Sequence, residues 1–207
     1  MEAKDYLKDI QDIKTMMSQS SRFISLSGLS GILAGIYSLI GAWFAYKTIY
    51  FDSVSFGNYT NLIISQEIIN TLLFIAGTII LSSIITGIIL SKRKASKHNE
   101  NLWNTASKRL LINFSIPLVT GGSFILFLIE KEILVILAPL TLIFYGLACV
   151  NASKYTLGDV RYLGLTLIGL GLLSTCFLGY GLLFWTLGFG VCHILYGSIM
   201  HFKYDRK

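Results

Sequence analysis

Charge is the scarcest ingredient of this chain. Only 14% of its 207 residues are Asp, Glu, Lys or Arg, while 54% are apolar. Soluble domains carry roughly a quarter charged residues, so a fully water-exposed surface is excluded. Cysteine is also sparse. The three present, Cys149, Cys176 and Cys192, form no CxxC pair and lie within or at the ends of apolar stretches. That excludes a disulfide framework and a Cys/His metal site, and the thiols read as small, reduced, membrane-buried residues. A P-loop, a dinucleotide fingerprint, GxSxG, HExxH and paired intramembrane aspartates are all missing. A membrane enzyme needs at least two close titratable or nucleophilic groups, so the expectation is a protein that is not an enzyme and uses no cofactor. Residue alternation of the barrel type is absent too. No signal-peptide pattern precedes the first apolar block, which is expected to act as an uncleaved anchor.

What the chain does have is six apolar blocks, at about residues 23–46, 68–90, 110–129, 133–150, 162–178 and 182–200. Each is near the ~20 residues that cross ~30 Å of hydrocarbon as a helix. The continuous blocks favour helices, which satisfy their own backbone groups in lipid. The fold class expected is an all-α integral membrane protein with six transmembrane helices over residues 22–207, preceded by an amphipathic cytoplasmic helix over residues 1–21. In that arm Tyr6, Ile10, Ile13 and Met17 share one helical face. It suits either a cytoplasmic protein partner or the membrane surface.

Basic residues fall between the blocks. Fifteen of the 17 Lys and Arg lie in the N-terminal arm, the gap after the second block, the gap after the fourth, and the tail; only Lys47 and Lys131 lie on the other side. This bias places both termini in the cytoplasm. It assigns the +6 net charge to anionic lipid head groups, above all at the loop 92–109, and not to nucleic acid. The outer loop 47–66 is expected to lie on the membrane surface or cap the bundle, and Asn58 within it opens a glycosylation sequon.

The blocks also suggest three helical hairpins. Odd blocks open with Arg22, Arg109 and Arg161, and even blocks close with Thr86-Gly87, Tyr145-Gly146 and Tyr196-Gly197. The inside-positive rule alone would also produce the arginines. Small residues recur every fourth position, at Ser27, Gly31 and Gly35, at Ser30, Ala34, Ser38 and Ala42, and at Gly171, Thr175 and Gly179. Such faces let helices approach closely, within the bundle or between copies in a homo-oligomer.

Polar residues inside the blocks are costly and therefore diagnostic. His193 is the deepest, ~10 Å from the end of its helix at 1.5 Å per residue, with Tyr196 on the same face. Cys192 points ~100° away and is not a co-ligand. His193 is either a hydrogen-bonded packing residue or part of a proton or solute path. Asn113, four residues before Pro117, suggests a kinked, locally polar start to the third block. Glu67 sits at the outer end of the second. His193, Tyr196, Asn113 and Glu67 are the candidate intramembrane polar site.

Two kinds of stretch, VNASKYTLGDVRYLGL and YGLLFWTLGFGVCHILYGSIM together with SRFISLSGLSGILAGIYSLIGAWFAY, resemble uncharacterised six-span bacterial inner-membrane proteins. The resemblance implies a bacterial plasma membrane and carries over no activity, ligand or site. Two functions are compatible with these features. One is a non-enzymatic membrane scaffold, sensor or regulatory subunit. The other is a small-solute or ion transporter or channel with a polar site near His193 and Asn113.

Overall fold

The computed structural model describes residues 22–50, 65–97 and 102–205. The amphipathic arm 1–21 and Asn58 lie outside these residues. Among the described residues all regular structure is helical, with no strand. We number the helices α1 (Gly28–Tyr50), α2 (Gln66–Lys97), α3 (Thr105–Glu130), α4 (Leu137–Ala152), α5 (Val160–Cys176) and α6 (Gly181–Asp205). A 3₁₀ turn, Ser153–Tyr155, extends α4. Five of these helices are long and apolar enough to cross a membrane; α5 is equally apolar but has 17 residues.

The helix ends depart from the edges of the apolar blocks for local reasons. Residues 22–27 are not helical, because this strip docks on the α4–α5 connection. The Phe23 amide donates to the Tyr155 carbonyl (2.8 Å), and Thr156 Oγ1 donates to the Phe23 carbonyl (2.7 Å). At its other end α2 runs past the apolar block through Ser91 to Lys97, since Lys, Arg and Ala favour helix without favouring lipid. Asn104 starts α3 with a capping box, its Oδ1 accepting from the Ser107 amide (2.8 Å) while Ser107 Oγ accepts from the Asn104 amide (3.0 Å). A Schellman turn ends α3. Glu132 takes φ 59°, and the Ile133 amide reaches back to the Leu128 carbonyl (2.9 Å). That turn delays α4 to Leu137.

In lipid, helices gain little from apolar burial against one another, and close packing and hydrogen bonds decide which ones associate. The closest approaches are made by glycines. On α1, Gly28, Gly31 and Gly35 face α6 near Gly190, Ile194 and Gly197; a Cβ on Gly197 would stand 2.5 Å from the Ile32 amide nitrogen. On α4 and α5, Gly146 and Gly164 meet so closely that a Cβ on either would come within 2.7 Å of the other's carbonyl oxygen. Gly171 similarly faces the Pro139 carbonyl. Both tight pairs, α1–α6 and α4–α5, cross the hairpin frame suggested by the sequence, and α6 occupies the Gly31/Gly35 face of α1. Leu142, Leu163 and Leu167 fill the centre, and Cys149, Leu157, Val160 and Met200 continue the core toward one end.

The resulting lateral order is α2, α1, α6, the α4–α5 pair, then α3. The two flanking helices are barely covered. None of the apolar window of α2 is buried and 11% of that of α3 is. Phe74, Leu81 and Ile85 on α2 and Ile112, Val119 and Phe127 on α3 stand open. Such continuous apolar surface is too large for a protein in water and suits hydrocarbon.

Candidate functional site

His193 stands at the junction between the π-helical stretch Thr186–Cys192 and the following α-helical turns. Its side chain is 5% exposed. Nδ1 lies 3.0 Å from the Gly188 carbonyl and Nε2 lies 3.0 Å from the Tyr145 hydroxyl. A carbonyl can only accept, so Nδ1 must carry the proton. Nε2 of the neutral ring is then an acceptor, and the Tyr145 hydroxyl donates to it. Both nitrogens are satisfied by fixed partners on α6 and α4. Phe189 stacks on the imidazole with centroids 5.8 Å apart, Tyr145 packs against Phe189 at 5.0 Å, and Phe114 closes edge-on against Tyr145. The wide π turn is what brings the Gly188 carbonyl opposite a side chain five residues later.

Asn113 belongs to a separate contact. Pro117 has no N–H, so the Asn113 carbonyl loses the donor it would have in an unbroken helix. Asn151 on α4 replaces that donor, its Nδ2 standing 2.8 Å from the Asn113 carbonyl oxygen. The Asn113 side chain itself donates to the Arg109 carbonyl of its own helix (2.8 Å). Tyr196 also turns elsewhere, its hydroxyl donating to the backbone carbonyl of Asp159 before α5. Glu67 is exposed in the first turn of α2, where the helix dipole favours a carboxylate. The four expected residues therefore occupy four places. His193 and Tyr196 share a helix face but bind different elements, and neither Asn113 nor Glu67 joins them. Among the described residues, Ser174 Oγ is the buried side-chain polar atom without a partner.

Two carboxylates that the sequence did not single out organise the end bearing the basic loop. Asp205, the last residue of α6, accepts from the Gly28 amide (2.9 Å), Ser27 Oγ (3.4 Å) and His201 Nδ1 (3.1 Å) with one oxygen, and from Lys94 Nζ (2.7 Å) with the other. It thereby caps the N-terminus of α1, where amides are unpaired and negative charge is favoured. Lys94 also donates to the Leu26 carbonyl (3.0 Å). Asp159 accepts from Lys203 Nζ (2.8 Å) and the Tyr204 hydroxyl (2.7 Å). The Lys203 ammonium holds the Asp159 carboxyl below the ordinary carboxylate value and the Tyr204 hydroxyl acts in the same sense, while partial burial opposes them.

Among the described residues, no three His, Cys, Asp or Glu side chains converge as a metal site. Shallow depressions on α1 and α3 are lined by apolar groups such as Trp43 and Ile116, each from one helix. Comparison with protein families, with curated proteins and with solved structures returns no match to this chain.

Proposed function

We propose that this chain is a six-span protein of a bacterial plasma membrane, with both termini cytoplasmic, acting as a non-enzymatic scaffold or regulatory subunit. The observation that carries this reading is the saturation of His193. The one histidine inside the apolar blocks has a fixed acceptor on Nδ1 and a fixed donor on Nε2, which leaves no nitrogen to bind a solute. A residue conducting protons or binding a metal needs one nitrogen to face water or a ligand. The basic loop and the arm 1–21 supply the cytoplasmic face on which a protein partner would act. The test is reconstitution of the full chain in liposomes, with proton, sodium and potassium flux measured beside migration of the complex from native membranes. The expected result is flux equal to that of empty liposomes, and a complex lost on deletion of residues 1–18. Flux that disappears in His193→Leu, or a complex indifferent to the deletion, contradicts the reading.

One observation favours the transport alternative. The π-helical stretch Thr186–Cys192 abuts His193, and π turns are frequent at functional sites. The same flux assay decides between the two.

A further inference from the structure

Helix α2 is fully buried only toward its two ends, and between them one side of it is half-covered while the other is open. Toward its N-terminal half it meets α1 where Gly41 admits Ile75 and Ile79; a Cβ on Gly41 would stand 2.3 Å from Ile79 Cδ1. At the other end Ser91 and Ala95 are buried, and Lys94 bonds Asp205 and the Leu26 carbonyl. Between Ile69 and Ser91 no residue of α2 is buried. Gly77 and Gly87, where a neighbouring helix could approach closely, meet nothing within 4 Å. The Lys94–Asp205 pair itself is largely shielded, at 13% and 10% side-chain exposure. Its carboxylate is also the N-terminal cap of α1, and it is carried by α6, which packs on α1 through glycines.

We infer that the Lys94–Asp205 ion pair is a latch on a movable α2, which pivots where Gly41 receives Ile75 and Ile79 and swings its basic end away from α1 and α6 when either charge is neutralised. From Ile79 to Lys94 the lever is ~22 Å long at 1.5 Å per residue, so a rotation of ~20° carries the Lys94 backbone about 8 Å. The residues that α2 carries outward are the basic ones leading into the loop 92–109. The pairs α1–α6 and α4–α5 are each closed by glycines against backbone, whereas α2 meets the bundle through side chains: Ile75 and Ile79 at Gly41, and Ser91, Ala95 and the Lys94–Asp205 pair at its basic end. The inference rests on the regulatory reading only for what the motion would convey. Flux and complex migration test that reading, and a distance tests the motion.

The experiment uses the full chain in lipid nanodiscs, with Cys149, Cys176 and Cys192 replaced and spin labels placed at Arg93 and Lys154. Both positions are exposed, one on α2 and one on the α4–α5 connection. Lys94→Met and Asp205→Asn are each expected to shift or broaden the distance distribution by about 7 Å, while Lys94→Arg keeps the parent distribution. A second label pair at Lys131 and Leu178, at the opposite end of α3 and α5, is expected to be unchanged throughout. A parent-like Arg93–Lys154 distribution in Lys94→Met overturns the inference. Loss of the Lys131–Leu178 distance in the same variant also overturns it, because the pair would then hold the whole bundle and not α2.

Discussion

Pro117 and Asn151 offer the sharpest energetic test of how the helices are joined. Asn151→Leu removes the amide that donates to the Asn113 carbonyl (2.8 Å) and leaves that oxygen without a partner, because Pro117 has no N–H to offer. An orphaned buried acceptor costs about 1–3 kcal/mol, whereas hydrogen bonds between transmembrane helices average ~0.6 kcal/mol. Asn113 is half-buried and lies one turn inside Arg109, where water reaches more easily than at mid-membrane, so the lower range applies and about 1 kcal/mol is expected. In a Pro117→Ala background the new N–H at position 117 satisfies the same carbonyl. Asn151→Leu should then be nearly neutral, giving a coupling of about 1 kcal/mol in the double-mutant cycle. Reversible unfolding in bicelles by steric trapping measures all four corners. Additivity of the two substitutions within ~0.3 kcal/mol would falsify the replacement-donor reading.

Three further outcomes follow from the packing and the polar contacts. Gly197→Ala should sharply lower the unfolding temperature in detergent, since its Cβ would press on backbone atoms of α1 at 2.5 Å. Gly87→Ala, with nothing within 4 Å, should leave it unchanged or slightly raised; equal effects would refute the glycine-packing account. Tyr145→Phe removes the donor to His193 Nε2 and should cost about 1 kcal/mol, but much less when combined with His193→Leu, because replacing both partners by apolar groups is nearly neutral. An additive pair of losses, read by the same unfolding assay, would argue against a Tyr145–His193 bond. Asp159→Asn should lower stability near neutral pH, and the effect should fade as the solution is acidified below the ordinary carboxylate range. Its carboxyl is held below the ordinary value, so its contribution is present above the unfolded value of about 3.9 and is lost as pH falls through the folded one. A destabilisation that persists unchanged in acid would count against it.

How much of this was legible in the chain depends on the range of the interaction. Among the described residues a helix falls in each of the six apolar blocks, five of them long enough to cross a membrane. Hydropathy misplaced their ends, since it reports lipid and not backbone: α2 continues to Lys97 in good helix formers, and residues 22–27 are held as a strip by Tyr155 and Thr156. Small-residue spacing identified the faces of α1, but not that α6 would occupy one of them. His193 was legible as a residue needing two partners, and Tyr145 as their source was not, being 48 positions away. Asn151 had a readable signal, since a proline inside a helix always strands a carbonyl four residues earlier. Lys94 and Lys203 read as charges obeying the inside-positive rule. The pairing of Lys94 with Asp205 and of Lys203 with Asp159 could not be read, because it is set by where α2, α5 and α6 end in space. Positions 94 and 205 are 111 residues apart.

With both ring nitrogens bonded, His193 is a saturated structural residue. Nitrogen-15 solid-state NMR of histidine-labelled protein in lipid, near neutral pH, with His193→Leu assigning the signal, reads the state of both nitrogens. The expected result is one neutral ring with Nδ1 protonated and a hydrogen-bonded, unprotonated Nε2, unchanged when solutes or metal ions are added. A proton on Nε2, a doubly protonated ring, or a signal that moves on addition of an ion would contradict it.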